Sequence, residues 1–166
     1  MKTMLSFSKS ALVALVAVVT SSAFAILPPP HASSEEVLCR ATLVAIGISS
    51  DFRLVRSQEI AGACQPFDPD ATSLDLCTSV EATVKIETVI YSKDRAPPSS
   101  IQFRFGGGFF MTGQLRNDLE GKRMIFHVVP DPEAPPGTYK TSYPWRLGME
   151  EGREDQVRGI LEQCHR

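Results

Sequence analysis

The stretch Thr78 to Tyr91, TSVEATVKIETVIY, alternates apolar and polar side chains, and no other feature constrains the fold so tightly. Val80, Ala82, Val84 and Ile86 fall on one face, and Glu81, Thr83, Lys85 and Glu87 on the other. Successive side chains of an extended chain point to opposite sides, so this is a strand of an antiparallel sheet with one buried face. IQFRF repeats the pattern, with Ile101, Phe103 and Phe105 inward and Gln102 and Arg104 outward, after a proline-containing loop, SKDRAPPSS. LCRATLVAIGI is apolar or small on both sides: Thr42, Val44, Ile46 and Ile48 on one, Leu43, Ala45 and Gly47 on the other. That is a buried strand, and SSDFRLVR continues it after a bend. MIFHVV is a further buried strand, with Met124, Phe126 and Val128 alternating against Ile125, His127 and Val129. TYKTSYPWR supplies a last one, limited at Pro144 by the missing amide hydrogen.

Only the tail reads as helix. Val157, Ile160, Leu161 and Cys164 recur at i, i+3, i+4 and i+7, one face of a helix, with Arg158, Glu162 and Gln163 turned away. A mainly β fold follows, a small twisted barrel of about five strands closed by a C-terminal helix. An immunoglobulin-like sandwich would need about seven regularly spaced strands.

The N-terminus has the form of an export signal. Lys2 and Lys9 precede the apolar run ALVALVAVVT, and AFA at Ala23 to Ala25 fits a small-residue cleavage site. The apolar run is about half the ~20 residues that a spanning helix requires. Residues 1–25 are therefore expected to be removed. Residues 26–36, ILPPPHASSEE, form a proline-rich extended leader, and 37–166 form one domain. The 141 residues left after Ala25 suit a single core. Losing Lys2 and Lys9 leaves 15 basic against 19 acidic side chains, a net charge of −4. Such a balance argues against nucleic acid as a partner, and no polybasic cluster offers a hold on an anionic membrane.

Export places Cys39, Cys64, Cys77 and Cys164 in an oxidising compartment, periplasmic or extracellular, where two disulfides are expected. Four cysteines allow three pairings. The preferred one joins Cys64 to Cys77 across a local loop and Cys39 to Cys164 across the whole domain. The loop between, GACQPFDPDATSLDLC, has the Gly, Pro, Asp and Ser content of an irregular excursion that the short bridge would staple.

In QFRFGGGFFMTG, the three glycines lack the lysine and following helix of a phosphate loop. They instead let a strand end and bend by admitting positive backbone angles. Phe109, Phe110 and Met111 follow, and apolar side chains on a loop either fold under it or face a partner. Burial tendencies favour packing, and a partner-binding tip is the alternative.

The order LVAIGI, VEATVKIETVIYS, IQFRFGGG and LEGKRMIFHVV resembles the tissue inhibitor of metalloproteases and netrin-like class. Gly107 and Gly108 match its glycine pair, and Gly121, Lys122, Arg123 and Phe126 its later strand, over about Cys39 to Val129. The resemblance implies an OB-like barrel of five strands in Greek-key order with a helix packed at the end. The animal inhibitors chelate the protease zinc through an N-terminal cysteine. Here Cys39 lies thirteen residues beyond Ile26, so protease inhibition is not implied.

Chemistry is sparse. His31 and His165 lie in leader and tail, and His127 sits in a strand, without metal or catalytic spacing. There is no Gly-x-Ser-x-Gly motif. Asp68, Asp70 and Asp75 carry part of a calcium-loop pattern but lack its glycine and terminal glutamate. The sequence reads as an exported, non-enzymatic binding domain without cofactor or metal, its partner an unknown protein or envelope ligand. A cryptic hydrolase and a calcium-stabilised envelope protein are the alternatives.

Overall fold

The alternating segment forms β2 (Thr78–Ser92), which runs antiparallel to β1 (Leu43–Arg56) on one side and β3 (Ser100–Gly106) on the other. The computed structural model describes residues 32–165, apart from 59, 63, 107–109 and 145. β4 (Arg123–Pro130) pairs antiparallel with β1, and β5 (Thr138–Thr141) lies between β3 and β4, parallel to the first and antiparallel to the second. The order is thus β1-β2-β3-β5-β4, and the β4 to β1 pairing closes the five-stranded sheet on itself.

Both faces of β1 and β4 are covered, as their two-sided apolar pattern requires. Leu43 and Ala45 of β1 and Phe126 and Val128 of β4 join Val80, Val84, Phe103 and Phe105 in the sheet's interior. There Phe103 meets Phe126 edge to face at 5.3 Å, a favoured arrangement of ring quadrupoles. Val44, Ile46 and Ile125 point the other way, into a second cluster with Leu38, Ala41, Val157 and Leu161. The expected bend in β1 is real: Asp51 has φ 58°, and the pairing with β2 shifts register between Ser50 and Arg53. An extra residue in one strand of a pair bends it in this way.

The C-terminal helix α3, here numbered with its two predecessors, spans Glu154–Cys164 and follows a 3-10 turn, Glu151–Arg153. It buries Val157 and Leu161 as the heptad-like spacing demands. Two more helices correct the expectation that only the tail is helical. α1 (Ser34–Arg40) takes in Ser34 to Glu36, the end of the expected leader. Seven residues are too few for a periodic signal, but the capping box is legible: Ser33 Oγ accepts from the Glu36 amide, and the Glu36 carboxylate accepts from the Ser33 amide. α2 (Thr112–Leu119) is mostly polar and inserts Leu115 and Leu119 into the sheet's open end. The Ser49 hydroxyl donates to the Leu119 carbonyl, and the Gly121 amide donates to Ser49 O at 2.8 Å, fixing that helix to β1.

The preferred disulfides are both present, Cys39–Cys164 and Cys64–Cys77. The first ties the end of α1 to the end of α3, and the second staples the excursion between β1 and β2. No helix among the described residues is long and apolar enough to cross a membrane.

Gly106 corrects the expected role of the glycines, since it does not adopt a left-handed angle and is required for space instead. A Cβ there would lie 2.7 Å from Ser79 Cα in the paired strand. Gly107 and Gly108 lie outside the described residues. Gly106→Ala should therefore destabilise by about 1–3 kcal/mol through forced strand separation. Gly113→Ala, with open space around its Cβ inside α2, should stabilise by up to about 1 kcal/mol. Urea unfolding of the two variants checks the opposite signs. Equal effects would remove the close-approach explanation.

Candidate functional site

Strand pairing sets four charged residues in one row across the outer surface: Arg53 opposite Glu81, Glu81 opposite Arg104, and Arg104 opposite Lys140. Glu81 holds the row together. Its Oε2 accepts from Arg53 Nη2 at 2.8 Å and its Oε1 from Arg104 Nη2 at 2.6 Å. Burial alone would raise the Glu81 carboxyl, but these hydrogen bonds and the two positive charges outweigh it and hold the group below its ordinary value. Arg104 also lies 3.6 Å from Asp131, whose other oxygen is 3.4 Å from Lys140.

Beside this row lies a polar cleft of about 140 Å³. β2 and β3 supply its floor through Ser79, Arg104 and Gly106, and β5 supplies Lys140. Ser57 and Gln58, from the stapled loop between β1 and β2, form one wall; Asp131 and Glu133, just before β5, form the other. Both walls are fixed by backbone-directed hydrogen bonds. Ser57 Oγ donates to Cys77 O at 3.2 Å, Gln58 Nε2 to Leu76 O at 2.5 Å, and the Glu133 amide to Asp131 Oδ1 at 3.2 Å.

Hydrogen-bonding capacity remains unused in the cleft. Among the described residues, Ser79 Oγ and the Glu133 carboxylate have no hydrogen-bond or ion-pair partner, and Lys140 contacts only Asp131. The cleft thus presents donors and acceptors together, with two cations and two carboxylates in its lining. A ligand that both donates and accepts matches this surface; a polyanion does not.

No known family model, curated protein or solved structure matches the chain. What the site does is therefore argued from its geometry.

The residues singled out by sequence lie elsewhere. Phe109 lies outside the described residues. Phe110 is half-buried and packs edge to face on Phe105 at 5.0 Å, while its carbonyl accepts from the Leu74 amide at 2.8 Å. Met111 is 59% exposed. The segment is therefore divided, with one side chain turned into the core and its neighbour outward.

His127, on β4, is fully buried. Its Nδ1 lies 2.9 Å from Ser142 Oγ, and that hydroxyl donates to Val37 O at 2.7 Å. With the serine proton so committed, Nδ1 carries the imidazole hydrogen and donates. The pair is not a nucleophile with its base, because the base would have to accept from the hydroxyl. Among the described residues, Nε2 has no hydrogen-bond partner. Burial, with the positive charge of Arg146 nearby, pushes the imidazole down from 6.5 to about 4.

The three aspartates serve the loop. Asp75 accepts from the amides of Gln65 and Cys77 at 3.1 and 3.0 Å, and Asp68 from the amide of Asp70 at 2.9 Å. Among the described residues, no group of three or more His, Cys, Asp or Glu side chains could hold a metal ion.

Sequence reasoning missed the cleft because Glu81 read as an ordinary outward residue of an amphipathic strand. The signal was present: Arg53 and Arg104 occupy outward positions in the two strands that flank it. Only the register shows that the three meet.

Proposed function

We propose that this chain is an exported, non-enzymatic binding domain of the cell envelope or extracellular space, and that it holds a polar ligand in the cleft beside Glu81, Arg104 and Lys140. The observation that carries the reading is the cleft's unused hydrogen-bonding capacity on walls already held by hydrogen bonds and a charged row. A preorganised polar surface loses little entropy when it binds.

An OB-like Greek-key barrel is the architecture that best accounts for the strand order, with β1 closing on β4 and a helix between β3 and β4. Barrels of that type bind ligands on strands 2 and 3 between the loops after strands 1 and 4, which is where this cleft lies. The same order supports an architectural kinship with the netrin-like class, without its zinc-chelating terminus. Two disulfides are consistent with an oxidising compartment.

The test is retention of envelope-extract components on immobilised protein lacking residues 1–25, beside a Glu133→Ala/Lys140→Ala variant shown to be folded by circular dichroism. A component held by the parent should bind the variant at least about tenfold more weakly, a loss of about 1.4 kcal/mol. Equal retention would remove the cleft as the site. Hydrolysis of an ester or peptide substrate that disappears in a His127 variant would replace binding with catalysis. A melting temperature raised by calcium, and no longer raised in Asp68→Asn/Asp70→Asn, would make the chain a calcium-stabilised protein.

A further inference from the structure

Ser79 is the anomaly of the polar cleft. It is only 4% exposed and lines the floor, yet among the described residues its hydroxyl has no hydrogen-bond partner. A polar group withdrawn from water in this way is costly until something bonds to it. We propose that the group which does so belongs to a small zwitterion, a free amino acid or a ligand of that size with one ammonium and one carboxylate. The proposal rests on the cleft being the binding site and names the chemistry of what fills it.

Of the four charged residues in the lining, two are already committed. Asp131 Oδ1 accepts from the Glu133 amide and lies 3.4 Å from the Lys140 ammonium, and Oδ2 lies 3.6 Å from Arg104 Nη1. Arg104 gives its Nε and Nη2 hydrogens to Glu81 at 3.2 and 2.6 Å. One charge of each sign stays open. The Glu133 carboxylate has no partner among the described residues, and the Lys140 ammonium, with three hydrogens to donate, has the single contact to Asp131. Glu133 is exposed and the Lys140 side chain 43% exposed, so both are accessible to an incoming ligand. An anion would meet repulsion from Glu133, a cation would meet it from Lys140, and a neutral polyol offers neither a counter-charge. A zwitterion complements both, its ammonium donating to Glu133 and its carboxylate accepting from Lys140 and the Ser79 hydroxyl. The cleft's volume of about 140 Å³ equals that of about five water molecules at about 30 Å³ each, which suits an amino acid rather than a sugar chain.

The probes are alanine and two analogues that each lack one charge, N-acetylalanine without the ammonium and alaninamide without the carboxylate. Isotope-labelled protein lacking residues 1–25 is titrated with each, and the backbone amide signals of Ser79, Glu133 and Lys140 are followed by NMR. Alanine should move all three saturably at millimolar concentration, and each analogue should bind about tenfold more weakly, as expected for the loss of a hydrogen bond to a charged group. Two variants then assign the charges. In Glu133→Gln, alanine and N-acetylalanine should bind alike; in Lys140→Gln, alanine and alaninamide should bind alike; each variant should keep the other discrimination. Equal binding of alanine and both analogues by the parent overturns the proposal, as does discrimination that survives both substitutions. If alanine leaves these amides in place the zwitterion is wrong. The cleft itself then survives where glucose or a retained envelope component moves them, and falls with the zwitterion where nothing does.

Discussion

Cys39→Ala/Cys164→Ala should lose about 5 kcal/mol of stability, the largest effect of any substitution considered for this chain. The bridge spans 125 residues, so its removal releases nearly the whole domain from a constraint on the unfolded state, and loop-closure entropy grows with the logarithm of that length. Cys64→Ala/Cys77→Ala opens a separation of only 13 residues and should cost about 3 kcal/mol. Against a total of about 5–15 kcal/mol for a domain, the first variant leaves little margin. Guanidinium unfolding of oxidised parent and both variants measures the difference. A smaller loss for the long bridge than for the short one would mean that the unfolded chain is not what the bridge restrains. Local effects are separable by hydrogen exchange, since α1 buries Val37 and contributes Leu38 to the second cluster and its amides should lose protection first.

That the strands were legible in advance, while the pairing of the cysteines was only a preference among three and much of the surface was hidden, follows from the range over which each kind of signal acts. Alternation in β2 and β3 is a local property, and Ile101, Phe103 and Phe105 are buried as their spacing requires. The two-sided apolar pattern of β1 and β4 implied cover on both faces, and the two clusters supply it. What covers the outer face was half legible: α3 announced itself through Val157, Leu161 and Cys164, but α1 did so only through Ser33 and Glu36. α2 carries just two buried leucines in a polar helix, too weak a period to separate from loop.

The candidate site was illegible for a different reason. Its cleft is assembled from β2, β3, β5, the stapled loop and the residues before β5, parts separated by most of the chain. Each residue is unremarkable alone, and only strand register brings Arg53, Glu81, Arg104 and Lys140 into one row. The apolar residues that did draw notice, Phe110 and Met111, lie outside it. Aromatic residues stand out in a sequence, whereas polar groups that leave hydrogen bonds unused become visible only when their neighbours are known.

His127 should make the fold acid-sensitive well above the range in which carboxylates titrate. The imidazole is neutral in the folded protein and titrates at about 4 there, against 6.5 when exposed. Between those values the unfolded chain binds a proton that the folded one refuses, so stability rises with pH through this window. The contribution is complete above 6.5 and lost as pH falls to about 4, a change of about 3 kcal/mol at 1.36 kcal/mol per pH unit. Protonation, which would fall on Nε2, is resisted because the ring is enclosed and Arg146 adds a positive charge nearby. Below that window Glu81 and Asp75, whose carboxyls are held below their ordinary values, remove further stability as they protonate. His127→Phe keeps an aromatic ring in the space and leaves the Ser142 hydroxyl donating to Val37. Its unfolding midpoint in urea should be flat from pH 6.5 to about 4.5 while that of the parent falls, and the two curves should decline together only under stronger acid. Parallel curves throughout would show that the buried imidazole is not the source of the slope, whereas a variant flat across the window would leave carboxylates as the sole acid trigger once the ring is gone.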